Sequence, residues 1–433
     1  MHPFHRRGAR SAVTAFGVAA AMLGVAACGV GTTDTTEEAV EVSAEGTDDG
    51  TQLTLWTRAP LEKQANLLVE EYNATHENQV SLTVVPNDDY VAKVGAAAGS
   101  GGLPDLFAAD IVYVPNWVEQ GLFRDISSNV DALPFKDEIN QGHLAAGTSD
   151  DKEHVLPFVL DLSMLFWNKE LFEEAGLDPE VAPANLEEYA EAAKAVQDLD
   201  KPGVYGTATG LNCGGCLVFT WFPSIWAADA DVMNAEGTEA LFTSPEATEV
   251  LDTWQDLWDS GAVLPSSRDE AGPTWTAGFT EGNVGLMFYP ATLLSSTPFD
   301  AGVAGIPGPG GGASTFVGGD GIGISKDSEN AEQAWNFLNW MMSEDAQVEV
   351  LAQNNDVVSR ADLANNEYAA EDPRLVTINE VAAQGRTPVA LNFQQAYNAP
   401  NSPWLTLVRD YVLNDGAGNL EQNNQQITDI LSQ

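Results

Sequence analysis

The chain has 433 residues, of which 64 are Asp or Glu and 18 are Lys or Arg, giving a formal charge of −46. With 44% hydrophobic and 9% aromatic residues it holds enough apolar surface for a sizeable core, which excludes a disordered chain, and its length points to two domains or three. The acid excess excludes a nucleic-acid binder, whose footprint is basic, and docking by charge on an anionic lipid surface.

Arg6, Arg7 and Arg10 precede an uncharged run over residues 11–28 that is rich in Ala and Gly. A basic segment before a short apolar one is the pattern of an export signal. The run is short for a membrane span and lacks the Leu and Ile content of one. It ends in Val25-Ala26-Ala27-Cys28, which is similar to a bacterial lipobox and implies a signal peptide over 1–27 and a lipid (palmitate) anchor on Cys28. Residues 29–50 contain seven acids, no base and no aromatic residue, so 28–50 is predicted to be an acidic flexible tether. The globular body starts near Thr51.

Residues 51–56 alternate polar and apolar and read as a strand. A helix follows with Leu61, Ala65, Leu68, Val69 and Tyr72 on one face. Residues 80–85 form a second strand, a helix from Val91 stops at the Gly-rich 99–102, residues 105–109 form a third strand, and 117–122 a helix. Strands alternating with helices imply a parallel sheet covered on both faces, with ligands at the carboxyl ends of its strands. That singles out Arg58 and Asp110.

A second α/β pattern begins after Pro157: a strand at 165–167, helices at 170–175 and 186–199, and an aromatic segment carrying Phe219, Trp221, Phe222 and Trp226. Just before that segment, Cys213 and Cys216 flank two glycines. A zinc ribbon needs a second such pair and there is none, so in an oxidising compartment the simplest reading is a local disulfide. Ser244 with Pro245 opens a helix that Gly261 stops. Residues 285–288 form a strand. The Gly-rich 302–312 has no Lys and no phosphate-cradle spacing and is a loop. Residues 331–342 form an amphipathic helix.

The order of segments resembles the family 1 extracellular solute-binding proteins, the sugar-binding lipoproteins of ABC importers related to maltose-binding protein. Leu103-Pro104-Asp105-Leu106 followed by Trp117 to Phe123, Leu156 to Asp161 followed by Leu165 to Leu177, Phe279-Thr280-Glu281-Gly282 to Met287, and Phe316-Val317-Gly318-Gly319 to Ser325, the last resembling its second crossover, are similar to the family's motifs and stand in its order. Trp167 departs from it, where the family usually has Tyr. The resemblance implies an α/β fold of two lobes, periplasmic-binding-protein-like of type II, with a ligand cleft between them. Three hinge crossovers are expected, near 158–160, 305–307 and 355–359. The N-terminal lobe would then comprise 51–158 and 306–356, and the C-terminal lobe 159–305 and 357–433. Closure of the hinge around ligand is the expected motion.

A sugar needs planar hydrogen-bonding side chains and a ring to stack on. Beside Arg58 and Asp110, the resemblance places Asp161 past the first crossover, Tyr289 at the end of a strand, and Trp404 ahead of a C-terminal helix as ligand contacts. Of the cluster Trp221, Phe222 and Trp226, one or two would be core and one, taken as Trp221, would face the cleft. Gly319 and Asp320 bring backbone and carboxylate to the ligand or only bend the hinge. The expected protein is a monomeric, non-enzymatic, lipid-anchored subunit on the outer face of the cytoplasmic membrane. Its partners would be a carbohydrate and the permease subunits of an ABC importer, without nucleic acid, metal or cofactor. A secreted glycosidase would need a defined acid pair, and no motif here fixes one or a nucleophile. A polyamine binder would show cleft acids boxed by aromatics, which Asp110, Asp161 and Asp320 leave open. An adhesin fits the double α/β pattern poorly. The acid excess is spread along the whole chain, so a solvated acidic surface accounts for it more simply than a cationic ligand.

Overall fold

The computed structural model of the chain describes residues 45–414 and 416–433; the export signal, Cys28 and most of the expected tether lie outside them. Among the described residues no helix is long and apolar enough to cross a membrane.

The first three strands alternate with helices as the hydrophobic pattern requires: β1 (Gln52–Arg58), α1 (Glu62–Thr75), β2 (Gln79–Val85), α2 (Asn87–Ser100) and β3 (Leu106–Asp110). Helix α1 buries Ala65, Leu68, Val69 and Tyr72, and the Tyr72 hydroxyl donates to Asn336 Oδ1 at 2.6 Å. Strand β4 (Leu156–Asn168) is far longer than the expected 165–167 and is followed by α3 (Leu186–Gln197) and β5 (Tyr205–Thr207). Then come α4 (Gly214–Trp226), α5 (Pro245–Asp259), β6 (Val284–Pro290), β7 (Ala301–Ala304) and β8 (Val317–Ile324). Helix α5 starts as read: the Ser244 hydroxyl accepts the Ala247 N–H at 3.2 Å with Pro245 at the first helical position, and Gly261 follows with a left-handed φ of 75°. Four more helices complete the chain: α6 (Ala331–Met341), α7 (Pro373–Ala382), α8 (Pro403–Asn414) and α9 (Leu420–Leu431).

One mixed sheet of eight strands runs through the body in the order β2-β1-β3-β8-β4-β6-β5, with β7 also paired to β4. The pairings of β1 with β2 and β3 are parallel, as expected, and β8 lies antiparallel between β3 and β4. Strand β4 continues into antiparallel pairing with β6 and β7. One apolar cluster joins Leu53, Leu55, Leu68, Phe158, Ile322, Trp335 and Leu338 around the β1–β3 end. Another joins Leu162, Met164, Phe166, Phe279 and Met287 around the β6 end. Burial of such side chains contributes about 1.5–3 kcal/mol each.

The chain does not cross at 305–307. Ile306-Pro307 pairs with Ala313-Ser314, Phe316 packs on Phe219 and Trp226, and the passage to the first half is made along β8 itself. At 357–360 the chain lies between the two halves: Val357 bridges Leu160 and joins the β6-end apolar cluster, while Arg360 bridges Ile139 and donates to the Met342 carbonyl at 3.0 Å. The tether reading also stops short of Thr51. The Asn78 side-chain oxygen accepts the N–H groups of Asp49, Gly50 and Thr51 at 3.0–3.2 Å, and Asp48 accepts those of Glu77 and Asn78. Residues 47–51 are therefore pinned to the body by side-chain-to-backbone hydrogen bonds that composition does not announce.

Candidate ligand-binding site

A cavity of about 950 Å³ lies where β1, β3, β4 and β8 end or cross. Its polar end is built by register. Asp320 of β8 lies opposite Asp110 of β3, and Gly318 lies opposite Asp161 of β4. Arg58, the last residue of β1, reaches over this band.

The Arg58 guanidinium is fully engaged by its surroundings. Its Nε donates to both Asp320 oxygens at 2.9 and 3.0 Å and its Nη2 to Asp320 Oδ1. Its Nη1 lies 3.2 Å from Asp110 Oδ2 and 3.4 Å from Asn87 Oδ1. The Asp320 side chain has no exposed surface, against 15% for Arg58 and 29% for Asp110. Asp320 is thus not a ligand contact, as the sequence suggested, but the buried counter-charge that orients Arg58. Burial opposes the Arg58 charge, yet Asp110 and Asp320 hold its pKa above that of ordinary arginine. Asp161 lines the cavity without an ion pair among the described residues; burial raises its carboxyl to about 7, Asp110 and Asp320 add to this, and Arg58 opposes it.

Gly319 also lines the cavity, with a φ of +97° that L side chains avoid. A Cβ there would stand 1.9 Å from the Val159 carbonyl oxygen. Its own carbonyl accepts the Ile111 N–H at 3.0 Å, and the Gly318 carbonyl is 3.0 Å from His143 Nε2. Both glycine carbonyls are thus used inside the fold, and the pair bends the strand.

The opposite wall is aromatic, but not with the expected rings. Trp221 is 0% and Trp404 1% exposed. Trp221 stacks on Trp254 at 4.8 Å and Trp404 on Phe242 at 4.6 Å, so both are core and neither lines the cavity. In α4 only Gly215, Cys216 and Phe219 escape burial, and these three line the cavity. Their spacing puts them on one helical face. Cys213 and Cys216 form the expected disulfide, with Cα atoms 5.2 Å apart, and Cys213 Sγ accepts the Cys216 N–H at the start of the helix. Tyr289 is partly exposed, yet the residue lining the cavity beside it is Trp275, whose ring meets Tyr289 edge-on at 4.5 Å. Trp275 follows the turn signal Gly272-Pro273 in a stretch with no periodicity, which hides it from a sequence reading.

This arrangement pairs fixed hydrogen-bonding groups with apolar rings in one concave space, the form of a small-molecule site. The pattern of the bacterial extracellular solute-binding proteins matches residues 68–377 of the chain. The chain belongs to that family. Among curated relatives, a binding protein of Brucella abortus is 26% identical over 275 residues, covering 61% of this chain and 65% of its own length, so the chain spans about two thirds of this relative. The diacetylchitobiose binding protein DasA of Streptomyces coelicolor is 21% identical over 90% of this chain and 92% of its own. Among solved structures, the cyclic alpha-maltosyl-1,6-maltose binding protein of Arthrobacter globiformis superposes with a TM-score of 0.74 at 25% identity, over 89% of this chain and 100% of its own. The sugar-binding protein MalE of Xanthomonas citri gives 0.77 at 16% identity, over 88% and 98%. The mixed sheet is thus that of the two-lobed solute-binding proteins, and the relatives are binding proteins by name.

Proposed function

We propose that this chain is the substrate-binding component of an ABC importer, which captures a sugar or oligosaccharide between its lobes and delivers it to membrane permease subunits. The observation that carries the reading is the cavity itself, with Arg58, Asp110 and Asp161 at one end and Phe219 and Trp275 on its wall. Charged groups hydrogen-bond hydroxyls strongly, and rings take the apolar face of a sugar. The named ligands of DasA and of the Arthrobacter protein, both oligosaccharides, support the class. We take the two lobes to be the ones the resemblance implies, with the second passage along β8 and the third near 357–360, which the pairings of β8 and the contacts of Val357 and Arg360 support. They close about these crossings when ligand binds. We further propose that the chain is exported, cleaved before Cys28, anchored there by lipid on the outer face of the membrane, and monomeric. It catalyses no reaction and needs no cofactor. Thermal unfolding of the full-length protein against mono- and oligosaccharides tests the reading. A sugar at about 100 times its dissociation constant adds roughly 2.7 kcal/mol and raises the midpoint. A midpoint that no sugar moves rejects it.

A further inference from the structure

The polar end of the cleft holds more negative charge than its own cation balances. Among the described residues Arg58 is the one cation paired with Asp110 or Asp320, and Asp161 pairs with none. Asp320 takes Nε and Nη2 of Arg58, leaving Asp110 to share Nη1 with Asn87. The other two cations that line the cavity are committed elsewhere. Lys63 donates to the Asn354 carbonyl at 3.2 Å and lies 3.9 Å from Asp356. Arg374 holds Asp372 through Nε at 2.9 Å and Nη2 at 2.7 Å. The three carboxylates are not a metal cage, because no group of His, Cys, Asp or Glu among the described residues is spaced to hold one.

A second, independent observation stands on the same cavity. Trp275 is 7% exposed, and its indole N–H has no hydrogen-bond partner among the described residues. A buried donor left without a partner costs about 1–3 kcal/mol, and because this N–H has no accessible surface of its own, a small turn of the ring toward the cavity lets a ligand acceptor relieve that cost. Tyr289 meets Trp275 edge-on at 4.5 Å, and Trp275 lines the same cavity as Asp161 and Asp110, which brings rings and carboxylates into one space. Aromatic rings beside carboxylates are the chemistry that holds an ammonium group. A neutral sugar satisfies the donors but leaves part of Asp110 unbalanced and Asp161 to take up a proton, whereas an ammonium group lets both stay ionised where water contributes little.

We infer that the solute is a cationic carbohydrate: a sugar carrying a protonated amine, with the ammonium held by Asp161 and Asp110, and a ring oxygen or hydroxyl accepting from the Trp275 indole. The inference rests on the sugar-binding reading above and narrows it.

Calorimetric titration of the full-length protein near neutral pH tests it with matched probes. These are the glucosamine disaccharide with free amines, its N-acetylated and therefore uncharged counterpart, maltose, and spermidine. The free-amine disaccharide is expected to bind at least about tenfold tighter than its acetylated counterpart. That advantage shrinks as salt is raised. In Asp161→Asn the ratio falls toward one, and in Asp161→Glu, which keeps the charge, the preference persists; circular dichroism confirms that both variants fold. Neutral sugars binding as tightly as the amine overturn the cationic assignment and leave the sugar reading standing. Binding of spermidine with no sugar of either kind overturns both, as does silence across all four probes.

Discussion

Arg58 enters any binding event already oriented. Asp320 lies beneath it without exposed surface and Asp110 lies beside it, so its fork is fixed before a ligand arrives and little side-chain entropy remains to be lost. Asp161 lacks such a partner, and its titration reports the difference. Its carboxyl is raised to about 7 by burial, with Asp110 and Asp320 adding and Arg58 opposing. In the unfolded chain an aspartate titrates near 3.9. Between those values the folded state keeps a proton that the unfolded chain has released, so this residue lowers stability progressively as pH rises from about 4 to about 7. Asp161→Asn removes the effect. Urea unfolding of variant and wild type is expected to agree in its pH trend below about 4, to diverge by about 1–3 kcal/mol in favour of the variant across that window, and to run parallel above it. The partial exposure of Asp161 sets the lower part of that range. A difference that does not change with pH would show that the carboxyl is an ordinary solvated one.

Strand β8 does two tasks at once: it carries Asp320 to Arg58 and passes the chain from one half of the sheet to the other. Its register shifts between Asp320 and Gly321, and Gly319 just before it takes a φ of +97°. Gly319→Ala places a methyl 1.9 Å from the Val159 carbonyl oxygen, and the strand must move. The expected cost is at least about 2 kcal/mol in urea unfolding. Gly310→Ala, also at positive φ but with nothing within 4 Å, serves as the control and is expected to cost about 1 kcal/mol. Equal costs at the two sites would mean that close approach to β4 is not what Gly319 provides. The crossing was legible only through the resemblance of 316–325 to the family's second crossover and not as a strand, because a run such as Val317-Gly318-Gly319-Asp320-Gly321 is poor in strand-forming side chains and is held by its two neighbours rather than by its own propensity. The β1–β3 unit was legible, because β1 alternates over one buried face and β3 is a short apolar run buried on both. The aromatic segment of α4 was legible as a cluster but not in its rotation: a helix buried on nearly every side has no polar face to orient it, and tertiary packing turns Phe219 rather than Trp221 to the cleft. The disulfide at the start of α4 closes a loop so short that its loss costs about 2 kcal/mol or less. Because Gly215 and Cys216 line the cavity, the paired substitution Cys213→Ser with Cys216→Ser is expected to weaken ligand binding several-fold while shifting the thermal midpoint only modestly. A large midpoint shift with unchanged affinity would reverse that assignment.

At the scale of the whole molecule the surface charge and the cleft charge respond to salt in opposite directions. A formal charge of −46 repels itself across the body, and that repulsion opposes the compact state. The screening length is about 10 Å at 0.1 M salt and about 3 Å at 1 M, so most pairs of surface carboxylates cease to interact over that range. The described ion pairs are mainly exposed ones such as Lys152–Asp125 and Lys194–Asp256, which contribute about 0–1 kcal/mol each and lose little when screened. The buried Arg58–Asp320 pair is screened far less. The thermal midpoint of the full-length protein is therefore expected to rise by several degrees between about 0.1 and about 1 M sodium chloride. An equal osmolality of sucrose separates screening from general exclusion effects: it stabilises through excluded surface alone and leaves the charge term untouched. A midpoint that is flat or falls in sodium chloride would place the acids in compensated pairs instead of a self-repelling surface. The order of motifs along the chain disclosed the two-lobed family fold, but not which carboxylates serve solubility and which serve recognition, because charge alone is the same in both. Geometry separates them: Asp161 lines a cavity beside one committed cation, while the bulk of the acids face water. If that separation holds, raising salt strengthens the fold while it weakens capture of an amine-bearing sugar, two opposite slopes measurable on one sample.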